Sequence, residues 1–175
     1  MATRSDVNTY CEKYFNKLFD YAYDNVPKKI KKWIVENMIP NGDIAIESLL
    51  ETAIAKQTGL TKYSTIGYDF LNKDGSPGGD AKKATVFENT MRPRREAKVK
   101  DFQNKIGDLY ICVYEPLTDK FYYFRVPHSH YVGRSSLAIY FELDGTPRRE
   151  RLRIDSPKSL WNFECKSGIK GFLNG

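Results

Sequence analysis

The stretch SPGGDAKKATVFENTMRPRREAKVK, residues 76–100, decides the predicted fold. A Gly-rich turn precedes Asp80, which begins a strand-like run, and a basic segment then leads into Glu96-Ala97-Lys98. Side chains two residues apart in a strand project from the same face. We therefore expect Glu96 and Lys98 to point together, and Ala97 and Val99 to turn the other way into the packing.

Alternation with a period of two continues through the chain after Gly59 and predicts a series of strands. Turn sequences rich in Gly, Pro and Asp separate them, as in Asp74-Gly75-Ser76-Pro77. The predicted strands lie at about 63–71, 81–88, 94–102, 107–114, 121–126, 137–143 and 148–154, and a final helix at about 157–165. If strands 81–88 and 94–102 pair as a hairpin, their open ends bring Asp80 near Glu96.

Helical spacing precedes Gly59 and predicts three helices. The first runs from Ser5 to about Asn25, the second is KKIKKWIVENMI after Pro27, and the third is IAIESLLETAIAKQTG, which Asp43 caps. Helices followed by a mixed, mostly antiparallel sheet indicate the α+β class. We divide the chain into an N-terminal helical segment, 1–42, and a core, 43–175, that includes the C-terminal strands and helix.

Composition narrows the class of protein further. Of the 175 residues, 41% are hydrophobic, which is enough for a core. The net charge of +6 suits a polyanionic partner. The cysteines Cys11, Cys112 and Cys165 are far apart and odd in number, which disfavours a disulfide framework and fits a reducing cytoplasm. No apolar leader or membrane-length run is present, so we expect a cytoplasmic protein with no membrane partner.

The acids at positions 80 and 96 predict a cation site. Two carboxylates a few ångströms apart repel each other unless a cation lies between them. Oxygen ligands of this kind select Mg²⁺, which keeps waters and accepts a phosphate oxygen. Lys98 would then lie next to a metal-bound water, where it could lower the pKa of that water, position it, or stabilise charge in the transition state.

This combination resembles the PD-(D/E)xK nuclease core of many restriction, repair and phage homing endonucleases. In that family a helix with a frequent Glu precedes a hairpin, which carries the first Asp and then an acid–x–Lys triplet. The resemblance covers roughly residues 43–126 and implies a restriction-endonuclease-like core. Gly79 stands where the family name has proline.

The resemblance also implies roles for individual side chains. Asp80 and Glu96 would bind Mg²⁺, with Mn²⁺ as a substitute, and Lys98 would lie beside the attacking water. Glu51 or Glu47 would be the helix acid that supports the metal or the lysine.

The function implied is Mg²⁺-dependent, site-specific hydrolysis of phosphodiester bonds in double-stranded DNA, of the restriction or homing type, in a bacterial cell or a phage-infected host. A domain of this size carries one active site, so cutting both strands calls for a homodimer or two sequential nicks. The leading helices, with their Tyr/Phe-rich stripe, are the expected dimerisation or DNA-clamping element. The alternative is a non-catalytic DNA-binding accessory protein of a phage or bacterium, in which the carboxylates are structural.

A second register of the motif is open. Asp69 could be the first acid, and Asp80-Ala81-Lys82 the acid–x–Lys triplet. We prefer the register with Glu96, because Asp80 directly follows two glycines at the mouth of a strand. Gly78 and Gly79 are expected to break the strand that the second register needs.

Basic residues around the predicted metal site and on later segments are candidates for DNA contacts. Guanidinium and ammonium groups hold phosphates while carboxylates hold the cation. One group of these basic residues follows the Gly-rich turn or lies in the basic hairpin near the site. A second group of three alternates along the predicted strand 148–154, and a single further arginine lies in a loop. The candidates are Lys82, Lys83, Arg92, Arg94, Arg95, Lys100, Arg134, Arg149, Arg151 and Arg153.

Overall fold

The helices come first and a mixed sheet follows, which confirms the α+β class. The computed structural model describes residues 13–14, 16–23, 25–38, 46–63, 67–149 and 160–172. The first helix, α1, is helical at the described residues 13–14 and 16–22. The other helices are α2 (Lys28–Asn37), α3 (Ile46–Thr58) and α4 (His128–Tyr131), with 3-10 turns at Leu160–Phe163 and Gly168–Phe172.

The strands form two sheets. They are β1 (Thr61–Lys62), β2 (Phe70–Leu71), β3 (Pro77–Thr85), β4 (Phe87–Asn89), β5 (Arg94–Val99), β6 (Leu109–Glu115), β7 (Lys120–Val126) and β8 (Leu137–Phe141). The larger sheet has the order β1-β2-β3-β6-β7, and the smaller one has the order β4-β5-β8. Among the described strands only β3 and β6 pair in parallel, so the expected mixed, mostly antiparallel pairing is confirmed.

The fully buried strand β6 separates two hydrophobic cores. All seven of its residues are buried, and successive side chains point to opposite faces. Leu109, Ile111 and Val113 belong to the core between the two sheets, whereas Tyr110 and Tyr114 belong to the core beneath α1 and α3. The molecule is therefore layered, with helices on one face of the larger sheet and the smaller sheet on the other.

The aromatic stripe of α1 packs inside this fold. Tyr14, Leu18 and Phe19 are buried in the helix-side core, and the Tyr14 hydroxyl donates a hydrogen bond to the Ala84 carbonyl oxygen of β3. The expected use of this stripe for dimerisation or for clamping DNA is therefore wrong for these three side chains. Their apolar surface is already covered by the sheet of the same chain.

The predicted pairing of strands 81–88 and 94–102 is wrong for most of its length. The first run divides at the buried Val86: β3 pairs in parallel with β6, and only the short β4 pairs with β5. Glu96 lies opposite Phe87, beyond the end of β3, whereas Asp80 lies near the beginning of that strand. The two acids are consequently in different sheets.

The glycines before Asp80 do not break a strand as expected. Both lie within β3, and Gly79 adopts a φ of +117° that L side chains rarely take. A Cβ atom at this position would lie 2.4 Å from the carbonyl oxygen of Asp108. Glycine is therefore required because β3 approaches the start of β6 closely.

Other predicted boundaries shift. Residues 67–69 lie outside strands, so the single strand at 63–71 is replaced by the short strands β1 and β2. The predicted strand 148–154 and helix 157–165 fall partly outside the described residues; Arg148 and Arg149 are not in a strand, and a 3-10 turn begins at Leu160. Among the described residues, no helix has both the length and the apolar character needed to cross a membrane.

Candidate functional site

Asp69, Asp80 and Lys82 meet on one face of the larger sheet. The β2–β3 register continues to place Asp69 opposite Asp80, and the Asp69 Oδ2 atom accepts a hydrogen bond from the Ala81 N–H at 2.9 Å. Lys82 projects from the same face as Asp80, and its Nζ atom lies 3.7 Å from Asp80 Oδ2. The structure thus brings together the three residues of the second register.

The chain between β5 and β6 supplies another cation to this cluster. The Nζ atom of Lys105 lies 3.1 Å from Asp80 Oδ1 and forms an ion pair with it. Tyr131 stabilises the position of this segment, because its hydroxyl donates a hydrogen bond to the Gly107 carbonyl oxygen at 2.6 Å. Asp80 is only 1% exposed, and its Oδ1 atom is buried without a hydrogen bond. That oxygen already faces one cation, the Lys105 ammonium, and is of the type that a metal cation could bind in place of the ammonium.

The electrostatics of Asp80 reflect this crowding. Burial raises the pKa of Asp80 to about 6, the neighbouring Asp69 carboxylate raises it as well, and Lys105 opposes them. The ionised form of Asp80 is thus disfavoured although two ammonium groups are near. A divalent cation between the two carboxylates would favour the ionised form.

This raised pKa predicts a pH dependence of stability. Between about pH 4 and pH 6 native Asp80 binds more protons than the unfolded chain does, so its contribution makes the metal-free protein less stable as pH rises. We expect Asp80→Asn to gain stability relative to wild type across this window, by up to about 3 kcal/mol. Urea unfolding of both proteins from pH 4 to pH 7.5 without metal measures the difference, and a difference that stays constant with pH would contradict it.

Glu96 occupies a different environment. It is 1% exposed, accepts a hydrogen bond from Asn89 Nδ2 at 2.7 Å, and lies 3.4 Å from Arg94 Nη2. Lys98 Nζ is 4.0 Å away, which confirms that these two side chains share a face. Ala97 is buried in the core between the sheets, so Glu96 points away from the larger sheet. The expected Asp80–Glu96 pair is therefore wrong.

The helix acids are also held elsewhere. Glu47 forms an ion pair with Lys83 at 3.4 Å, and Glu51 forms one with Lys62 at 3.6 Å. Adjacent residues in a strand project from opposite faces, so Lys83 points to α3 while Lys82 points to Asp80. The structure does not bring Glu47 to the carboxylate pair, and it places Glu51 beside β1.

The basic hairpin is largely engaged with its own chain. Arg95 makes two hydrogen bonds to the fully buried carboxylate of Glu115, at 2.6 and 3.0 Å. The guanidinium of Arg94 lies 4.1 Å from the ring centroid of Tyr140. These arginines therefore stabilise the smaller sheet and its contact with β6, whereas Arg92 is exposed in the turn.

The remaining basic candidates are spread over the surface. Lys82 donates to the Asp101 carbonyl oxygen, Arg134 donates to the His130 carbonyl oxygen, and Arg149 contacts both Glu164 and the Trp161 ring. Lys100 is exposed. Arg151 and Arg153 lie outside the described residues.

Lys105 and Tyr131 were not predicted as site residues. Lys105 reaches Asp80 from an irregular segment, where side-chain direction follows no period that a sequence displays. The acid–x–Lys spacing of Asp80 and Lys82 indicates the site that the structure forms. The expectation that Gly78 and Gly79 break the strand favoured the register with Glu96 instead.

The donor set fits Mg²⁺ by its chemistry. Within the described ranges, no three His, Cys, Asp or Glu side chains group together in the manner of an all-protein metal cage. Mg²⁺ usually binds one or two carboxylates and completes its coordination with waters and substrate phosphates. Asp69 and Asp80 supply that number of carboxylates, and the buried Asp80 Oδ1 atom has an ion pair with Lys105 but no hydrogen bond.

Comparison of the chain with protein-family models, curated proteins and solved structures finds no match.

Proposed function

We propose that this protein is a Mg²⁺-dependent endonuclease of the PD-(D/E)xK type that hydrolyses phosphodiester bonds in double-stranded DNA. The observation that carries the proposal is the contact between the Asp69 and Asp80 carboxylates, with Lys82 on the same face of the sheet. Asp69 and Asp80 are the proposed metal ligands, in place of Asp80 and Glu96.

The order of the elements supports a restriction-endonuclease-like core. Helix α3 precedes the antiparallel pair β2–β3, Asp69 lies directly before β2, and Asp80-Ala81-Lys82 lies within β3. This is the helix, first acid and acid–x–Lys order of the family that the sequence resembles. The helix acid is left out of the proposed site, because Glu51 is paired with Lys62 and Glu47 with Lys83.

The side chains have separable roles in the proposed reaction. When bound, Mg²⁺ supplies Lewis-acid polarisation of the phosphate and a water of lowered pKa. Asp69 and Asp80 would hold the cation through their carboxylates. Lys82 holds the attacking water by its oxygen and stabilises negative charge that develops on the phosphate. Lys105 can leave Asp80 for a phosphate oxygen once the carboxylates have another cation to neutralise them.

DNA is supported as substrate by charge alone. The net charge of +6 favours a polyanion, and exposed Arg92 and Lys100 remain available for phosphate contacts. One site of this kind in each chain would require a homodimer or sequential nicks to cut both strands. The proposed setting is the cytoplasm of a bacterial cell or a phage-infected host.

The two acid–x–Lys triplets provide a matched test. We expect Lys82→Ala to slow Mg²⁺-dependent nicking of supercoiled plasmid by about 100-fold, because loss of one donor that stabilises transition-state charge costs about 10²–10³-fold. Lys98→Ala removes the equivalent lysine of Glu96-Ala97-Lys98, and we expect it to stay within about twofold of wild type. Initial rates are compared in Mg²⁺, Mn²⁺ and EDTA, and equal losses in both variants would contradict the assignment.

A non-catalytic DNA-binding protein is the second candidate, because Asp80 already forms ion pairs with Lys82 and Lys105. Such a protein would retard DNA in a gel but would not nick it in Mg²⁺ or Mn²⁺. Saturating DNA binding with no product from the wild-type chain would therefore favour this alternative.

A further inference from the structure

An exposed aromatic side chain lies in line with the two carboxylates. Tyr63 follows β1, and its backbone N–H donates to the Asp69 carbonyl oxygen at 2.7 Å, which extends the β1–β2 register by one pair. Asp69 in turn interacts through its side chain with Asp80. Tyr63, Asp69 and Asp80 therefore follow one another in a row across neighbouring segments of the chain, with the Tyr63 backbone paired to Asp69.

The ring of Tyr63 is packed against a neighbouring ring and is also exposed. It stacks on Tyr68, with ring centroids 6.2 Å apart and an interplanar angle of 23°. Tyr63 is nevertheless 51% exposed, so much of its ring surface meets solvent. A large aromatic ring that is supported on one side and open on the other is suited to receive a second flat group.

Ile106 adds apolar surface next to this row. Its N–H donates to the Gly67 carbonyl oxygen at 2.9 Å, and the residue is 50% exposed. The preceding residue, Lys105, reaches Asp80. The same segment therefore presents a cation toward the carboxylates and an apolar side chain beside the residues that precede Asp69.

Phosphate-binding groups beside an open ring fit a nucleic acid strand whose bases are unpaired. A paired duplex offers phosphates to Lys82 and Lys105 but keeps the faces of its bases stacked on one another. An unpaired nucleotide offers both its phosphate and a free base face. Stacking of this type is tolerant of sequence, because every base has a π-face.

We propose that Tyr63 and Ile106 bind an unpaired nucleobase whose phosphodiester lies at Asp69 and Asp80, so that the preferred substrate is DNA with a single-stranded segment at the cut. The position of the phosphodiester rests on the proposed function. The base contact itself does not require cleavage and can be measured without it.

Binding in Ca²⁺ isolates this contact, with fluorescence anisotropy of labelled oligonucleotides as the readout. The probes are a blunt duplex, the same duplex with a short single-stranded overhang, and single strands of DNA and RNA with the overhang sequence. We expect the wild-type chain to bind the overhang duplex at least about tenfold more tightly than the blunt one. Tyr63→Ala should lose about 5- to 100-fold in affinity for the overhang duplex and less than about twofold for the blunt duplex.

Two control variants separate stacking from other effects. Tyr63→Phe keeps the ring and should bind as wild type does. Tyr23→Ala removes a tyrosine of similar exposure, 48%, which packs against Phe19 on α1 instead of lying in the row. We expect this variant to bind every probe with unchanged affinity.

Several outcomes would overturn the inference. These are equal wild-type affinity for the blunt and overhang duplexes, equal losses of Tyr63→Ala on both, a loss for Tyr23→Ala as large as that for Tyr63→Ala, or tighter binding of the RNA strand than of the DNA strand. If Tyr63→Ala loses overhang binding while no variant or wild-type chain cuts in Mg²⁺, the base contact stands and the nuclease proposal fails. If blunt DNA is cut and Tyr63 has no effect on binding, the nuclease proposal stands and this inference fails.

Discussion

Asp80→Asn is expected to lower Mg²⁺-dependent cleavage of plasmid DNA by about 1,000-fold. The asparagine keeps the size of the side chain but removes the charge that would hold the cation beside Asp69. Stabilisation of transition-state charge by a metal is worth several kcal/mol, and about 4 kcal/mol corresponds to a factor of 1,000 in rate. Asp69→Asn should have an effect of the same order, because the two carboxylates are proposed to act on one cation.

Glu96→Gln is the matched control for this experiment. Glu96 is as buried as Asp80 and is also the acid of an acid–x–Lys triplet, but its hydrogen bond comes from Asn89 and its ion pairs from Arg94 and Lys98. We expect cleavage within a few-fold of wild type once folding is verified by circular dichroism. Loss of cleavage in folded Glu96→Gln together with full activity of Asp69→Asn would return the motif to the first register.

Binding data separate the loss of catalysis from the loss of structure. Asp80→Asn should retain DNA affinity in Ca²⁺ within a few-fold, because the basic side chains proposed to contact phosphates remain. It should also be more stable than wild type at neutral pH without metal, since the disfavoured charge has gone. An unfolded or DNA-binding-deficient Asp80→Asn would leave Asp69→Asn as the deciding variant.

Gly79→Ala is expected to destabilise the fold by about 4 kcal/mol. The added Cβ would lie 2.4 Å from the Asp108 carbonyl oxygen and 2.8 Å from a ring carbon of Tyr110, both at the start of β6. Overpacking in a close-packed region costs about 1–3 kcal/mol, and a disallowed backbone conformation costs about 1–3 kcal/mol more. The parallel β3–β6 pairing, which begins at Asp80 opposite Leu109, would have to open to relieve the contact.

Gly75→Ala isolates the part of this cost that comes from the backbone. Gly75 also has a positive φ, +83°, but nothing lies within 4 Å of the position that its Cβ would take. We expect a loss of about 1 kcal/mol for Gly75→Ala, as for an alanine placed where φ is positive. Urea denaturation at neutral pH compares the two variants, and similar losses in both would show that the approach of β3 to β6 is not tightly packed.

Local chemistry of the sequence determined a large part of this fold. Hydrophobic spacing predicted the helices and the strands, and the period of two correctly placed Glu96 and Lys98 on one face with Ala97 and Val99 turned into the core. These features depend on residues only a few positions apart. A strand alternates its side chains whichever partner it pairs with, so the sequence alone is sufficient for them.

The tertiary structure decided which strands are neighbours, and with that the candidate site. The strand that contains Asp80 could pair with the next strand along the chain, as we expected, or with the more distant β6. The fully buried β6 satisfies its backbone hydrogen bonds by pairing with β3 and β7. Its two apolar faces are covered by α1 and α3 on one side and by the second sheet, β4-β5-β8, on the other. Asp80 thereby gains Asp69 and Lys105 as neighbours and loses Glu96. Burial of apolar surface contributed by the whole chain decides such a choice, and no short segment contains that information.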